Sequence, residues 1–231
     1  MRALGATLAD FAGREIDAER PVLKSPSVRN VRLFFELFED AALLVLVRDG
    51  RSVVESGMRS FDWDFETAVR DWVAAADVVI DFRRQMGDRP LPWALVRYED
   101  LVTDLRSELT SALVAVGLDP GDYDFEAAGA LPVKGSSTFR GGEGDVHWAP
   151  VDRTGDFRPL ERWTDWPRSL HERFNWLAGE QLRRLGYEPT VAADGASRWR
   201  VWNQWRDVSW AARRFHGKVR RRLGRIVGLG S

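Results

Sequence analysis

Arg48 and Ser56 stand eight residues apart, the first closing the apolar run Ala41-Ala42-Leu43-Leu44-Val45-Leu46-Val47 and the second set in the segment that follows Asp49-Gly50-Arg51. A guanidinium is a planar fork of donors matched to phosphate oxygens. A serine about one and a half turns into a helix offers a hydroxyl to the same group. If the apolar run is a strand and the next segment a helix, the junction adds backbone N–H groups and the positive end of a helix dipole, where anions sit. The combination reads as a phosphate clamp. An arginine paired with a carboxylate and a serine that merely packs would give the same spacing, so both readings stay open at this point.

Other residues with chemistry to offer are spread along the chain. Lys24 follows Val22-Leu23 and precedes Ser25-Pro26, where it is either an ammonium held at a strand end or a solvated lysine beside a turn. Tyr98 ends a second apolar segment, Trp93-Ala94-Leu95-Val96-Arg97-Tyr98, as a core aromatic or as a site residue, and Glu99 and Asp100 read as caps of the helix after it. Ser136 and Ser137 lie in a Gly/Ser-rich stretch. His147 titrates near neutrality and is a candidate base, although a His-Trp pair in a loop is also an ordinary packing unit. The histidines are 147, 171 and 216, too scattered for a zinc spacing, and there is no cysteine. Disulfides and thiolate metal sites are thereby excluded, and no metal is expected.

The elements that must position these groups alternate. Leu4, Leu8, Phe11 and Ile16 recur at helical intervals over 3–16, and a short strand at Val22-Leu23 is expected next. Ser27 to Phe38 reads as a serine-capped amphipathic helix with Val31, Phe34, Phe35 and Phe38 on its inner face. The run 41–47 has the continuous apolar character of a strand buried on both faces of a parallel sheet. Helices are expected over 52–61, 65–86, 104–117 and 167–185, a strand over 93–98, and loop over 118–158. Strands alternating with helices predict an α/β fold around a parallel sheet.

Taken in order, these segments resemble the sulfotransferases that use 3′-phosphoadenosine 5′-phosphosulfate (PAPS). Val22-Leu23-Lys24-Ser25-Pro26 is similar to that family's lysine-bearing strand end, and Leu44 to Met58 is similar to its Arg-Asp-Pro-Arg strand end with a serine eight residues after the first arginine. The second segment looks most like the bacterial and tyrosylprotein branches, which tolerate glycine where others carry proline. Val96-Arg97-Tyr98-Glu99-Asp100-Leu101 resembles the family's Tyr-Glu-Asp-Leu, and Gly135 to Phe139 followed by His147-Trp148-Ala149-Pro150-Val151 resembles its late nucleotide-covering loop, with Ala149 where a basic residue is common. The resemblance covers residues 20–187. It implies a P-loop-NTPase-like fold with a central parallel sheet flanked by helices and PAPS as co-substrate. It implies Arg48 and Ser56 on the 3′-phosphate, with Tyr98, Ser136 and Ser137 as further nucleotide contacts. Lys24 would then meet the sulfuryl group, where negative charge builds on the bridging oxygen.

The family's 5′-phosphosulfate loop, a Gly-rich turn ahead of the lysine strand, has no counterpart: 20 residues precede Pro21, against about 30 in a βαβ unit, and neither Ser-Gly-Thr-Thr nor Gly-x-x-x-x-Gly-Lys-Ser/Thr occurs. The first βα unit is therefore expected to be missing. The position of the cytosolic branch's catalytic histidine is Pro26, and no base is assigned. A kinase reading fails for want of the same lysine loop and of acidic magnesium ligands.

Charge divides the chain. Residues 198–231 carry ten Lys/Arg against Asp207, or +9, and the net charge of −1 leaves −10 on residues 1–197. Val201, Trp205, Val208, Ala212, Phe215, Val219, Leu223 and Ile226 recur at steps of three and four among arginines, a basic amphipathic helix. Such a tail suits an anionic membrane surface or the acidic body; nucleic acid is disfavoured. The expected organisation is a sulfotransferase-like domain over 1–189, a linker over 190–197 and the tail over 198–231. No signal peptide or membrane span is read at the N-terminus, so the expected location is cytoplasmic, peripheral on the inner membrane face. The expected activity is transfer of a sulfuryl group to a hydroxyl or amine of a glycan, lipid or small molecule. The competing expectation is a non-catalytic, membrane-associated remnant of the fold acting as a scaffold.

Overall fold

Of the 231 residues, the computed structural model describes 22–25, 27–130, 133–134, 150–151, 160–190 and 199–213. The expected helix at 3–16 and linker at 190–197 lie outside this set, save residue 190. The architecture is mixed α/β and mostly helical.

Val22 to Ser25 form no strand; both apolar residues are exposed. Two apolar residues specify a strand only where a neighbour strand accepts their backbone, and among the described residues none does. The helix expected over 27–38 is shorter: a 3₁₀ turn, Val31–Leu33, leads into α1, Phe34–Leu37. Val31 and Phe35 pack on the core, and the Phe35 ring stacks on Phe82 at 6.5 Å between centroids.

Strand β1, Leu43–Val47, runs into α2, Gly50–Phe61, and then α3, Phe65–Met86. Asp64 caps α3 by accepting from the Thr67 N–H at 2.9 Å, which satisfies one orphan donor of the first turn. Strand β2, Trp93–Arg97, leads directly into α4, Tyr98–Thr103, and α5, Leu105–Ala115. A short α6, Phe125–Ala130, and a two-residue antiparallel pairing of β3, Val133–Lys134, with β4, Pro150–Val151, interrupt the region expected to be loop. Helix α7, Arg168–Arg184, ends at Gly186, whose φ of +83° is the left-handed conformation that favours glycine after a helix. Residues 199–213 form a last helix, α8.

β1 and β2 pair in parallel, Leu43 opposite Trp93 and Val47 opposite Arg97. Val45 and Val47 point into the core, whereas Leu44 and Leu46 are exposed. The expectation that β1 is buried on both faces is thus corrected: Val45 and Val47 join the core, while on the opposite face of the sheet α5 packs on β2, where Val96 is buried, and leaves Leu44 and Leu46 of β1 exposed. The core is built by α3 and α7, with Val69, Val79, Phe82 and Met86 against Phe174, Ala178 and Leu182.

Candidate active site at the strand ends

The register that pairs Val47 with Arg97 makes Arg48 and Tyr98 neighbours at the carboxyl ends of the two strands. The Arg48 guanidinium carbon lies 4.7 Å from the centre of the Tyr98 ring, a cation–π contact that fixes a long cation in place. Tyr98 opens α4 and is half-buried, so it is a platform for Arg48 rather than a core aromatic.

The N-terminus of α2 is less open than the sequence implies. Asp49 accepts from the Arg51 N–H at 2.8 Å and from the Arg51 guanidinium, Nη2 at 2.6 Å, and both side chains are buried. A carboxylate therefore already sits on the helix axis, where a ligand anion was expected. Arg51 does not face solvent either: its guanidinium lies 3.7 Å from the Trp163 ring centre and donates to Thr190 Oγ1 at 3.1 Å.

Ser56 is the seventh residue of α2 and half-buried, on one face with Ser52 and Ser60 at steps of four. Ser52 donates to the Leu160 carbonyl at 3.2 Å. With a rise of about 1.5 Å per residue, a group shared by Arg48 and Ser56 would lie along the flank of α2, not on its axis.

Three residues that sequence reasoning did not assign to the site hold this junction together. Glu99 accepts from the Asp49 N–H at 3.0 Å through one carboxylate oxygen and from the Tyr187 hydroxyl at 2.8 Å through the other. One side chain thus ties the end of β1 to the chain just beyond α7. Burial, with the bond to Glu99, holds the Tyr187 phenol far above its usual range, so it remains a donor. Arg97, the third member, lies over the same ring at 4.3 Å. The signal available in the sequence was the Glu99 of Tyr-Glu-Asp-Leu; its partner Tyr187 is 88 positions away.

Lys24 is exposed in an irregular stretch. Ser136, Ser137 and His147 lie outside the described residues. His171 sits on α7 against Trp163 and Trp166, with ring centroids at 5.9 and 5.8 Å. Burial, aided by the charge of Arg51, pushes its imidazole below the ordinary value. Among the described residues no group of His, Asp and Glu is placed to hold a metal ion.

The sequence model of the Sulfotransferase family matches residues 2–122, just over half of the chain. The chain belongs to the sulfotransferase family. The match spans Lys24, Arg48, Ser56 and Tyr98 and ends before Ser136. No curated protein matches the chain by sequence. Family membership supports sulfuryl transfer as the type of reaction, and it makes the β1–α2 junction the part of this sulfotransferase to read for a ligand.

Proposed function

We propose that the chain is a PAPS-dependent sulfotransferase of P-loop-NTPase-like fold, in which Arg48 and Ser56 hold the 3′-phosphate of the nucleotide along the flank of α2. The observation that carries this reading is the placement of Arg48: at a strand end, braced on Tyr98, beside a helix whose own N-terminus is closed by Asp49. A guanidinium at a strand end presents a planar fork of donors suited to a dianionic phosphate. Tyr98 also offers its ring edge near that phosphate. When bound, PAPS supplies an activated sulfuryl group; the chain binds the nucleotide, orients it and places Lys24 where an ammonium stabilises charge on the bridging oxygen. The acceptor is a hydroxyl or amine of a glycan, lipid or small molecule, and Ser136 and Ser137 are further nucleotide contacts in this proposal.

The test is calorimetric titration with 3′-phosphoadenosine 5′-phosphate. Arg48→Ala should weaken binding by about 10- to 100-fold, the worth of a hydrogen bond to a charged group. Adenosine 5′-phosphate, which lacks the 3′-phosphate, should bind the wild type as weakly as the full ligand binds the variant. Equal affinity of wild type and Arg48→Ala for the 3′-phosphate ligand would overturn the assignment.

A further inference from the structure

Helix α8 has two apolar faces, and only one of them meets the body. The stripe at steps of three and four, Val201, Trp205 and Val208, is 67%, 67% and 69% exposed, and Ala212 is exposed with it. The opposite face carries Asn203, Arg206 and Asp207 together with the part-buried Trp199, Trp202 and Trp210, and Arg168 and Arg70 of the body lie over Trp199 and Trp210. The rotation is fixed by charge. Arg173 of α7, 0% exposed, pairs with Glu66 of α3 at 2.7 Å and with Asp207 at 2.7 Å, and it donates to the Asn203 carbonyl at 3.1 Å. Arg206 reaches Glu66 at 2.9 Å, Arg70 reaches Asp207 at 2.7 Å, and the Trp176 indole donates to the other Asp207 oxygen at 2.8 Å.

A helix that served only to cover the body would have a polar outer face. Here ion pairs hold the stripe outward, and they also consume Asp207, the one acid among residues 198–231, whose ten Lys/Arg otherwise stand unopposed by the tail itself. Arg200 and Arg213 are exposed on the same helix. We propose that α8 is a docking face for an anionic lipid bilayer: Val201, Trp205 and Val208 enter the interfacial region, and the surrounding arginines meet acidic headgroups. Tryptophan favours that interface. Among the described residues no helix is long and apolar enough to cross a membrane, so the contact is with the surface. Two copies stacked stripe to stripe would bring two tails of +9 together, and a nucleic acid would use the arginines without an exposed Val-Trp-Val stripe. The charge and the stripe together fit the bilayer.

The test is cosedimentation of the full chain with vesicles of phosphatidylcholine containing about 30% phosphatidylserine, against vesicles of phosphatidylcholine alone. The wild type should bind the anionic vesicles at least about tenfold more tightly than the neutral ones, and high salt should reduce that advantage. Val201→Ser/Val208→Ser and, separately, Trp205→Ser leave the charge unchanged and alter exposed positions, so circular dichroism should match the wild type while vesicle affinity falls about tenfold. Three results would each overturn the proposal: no sedimentation of the wild type with anionic vesicles, unchanged vesicle affinity in both stripe variants, or a dimer in sedimentation velocity that the stripe variants dissociate while vesicles bind none of the proteins.

Discussion

Gly50 opens α2 at a place with no room for a side chain. A Cβ built on it would lie 2.5 Å from the Trp72 ring, inside any real contact. Trp72 is confined in turn by Phe174, 5.9 Å away between centroids. Gly57 is nominally worse, with a Cβ 1.8 Å from Trp63, but Trp63 is exposed and can swing into solvent. Gly50→Ala should therefore destabilise the protein by about 1–3 kcal/mol, the usual cost of overpacking. Gly57→Ala should cost under about 1 kcal/mol, because helix propensity returns part of what the contact takes. Urea denaturation of the two variants checks the order; a reversed order would mean that Trp72, not Trp63, is the mobile ring. Because Gly50 begins α2 and is two residues from Arg48, the same overpacking would shift Arg48, and on the proposed function Gly50→Ala should also lose nucleotide affinity.

The docking of α8 on α3 and α7 belongs to the scale of elements. Arg173→Leu removes the cation that joins Glu66 to Asp207 and leaves buried carboxylate oxygens on a face that Arg70 and Arg206 serve only in part. Breaking a buried pair in this way costs about 3 kcal/mol. Chemical denaturation should register that loss, and limited proteolysis should cut between residues 190 and 199 faster than in the wild type. The two helices involved show what periodicity conveys. The 65–86 helix was read from the sequence with its bounds, because its apolar positions face one core and its Asp64 cap is local. The apolar stripe of α8 was read equally well, but its direction was not, since direction is decided by Arg173, 34 positions from Asp207, and by Glu66. The same limit applies to the site. The strands that end just before Arg48 and Tyr98 are local features legible in the sequence; the closing of the α2 axis by Asp49 and Arg51, and the Glu99–Tyr187 tie, depend on partners that only the fold brings together.

At the scale of the whole molecule, two titrating groups that hold the C-terminal elements in place are displaced in the same direction. Burial alone would raise the Asp207 carboxyl, but hydrogen bonds from Trp176, Arg173 and Arg70 outweigh it and hold the group below its ordinary value. His171 is displaced downward by burial, with Arg51 adding to it. For each, the unfolded chain binds a proton at a pH where the folded protein does not, so unfolding takes up protons and stability rises with pH across that window. The His171 contribution is complete above its unfolded value near 6.5 and is lost as pH falls through its lower folded value; that of Asp207 is complete above 3.8 and is lost at more acid pH. The melting temperature should therefore fall in two steps on acidification. His171→Asn should remove the upper step, which sets in as pH falls below 6.5, and leave the lower one. Arg173→Leu should instead blunt the lower step, because Asp207 then titrates nearer its unfolded value. A melting profile in which His171→Asn keeps the upper step would place that transition on another group and free His171 from its structural role beside Arg51. The two steps also separate two contacts of α7: the upper one reports its packing beside Arg51, next to the strand ends, and the lower one reports the seat of the helix that turns one apolar face outward.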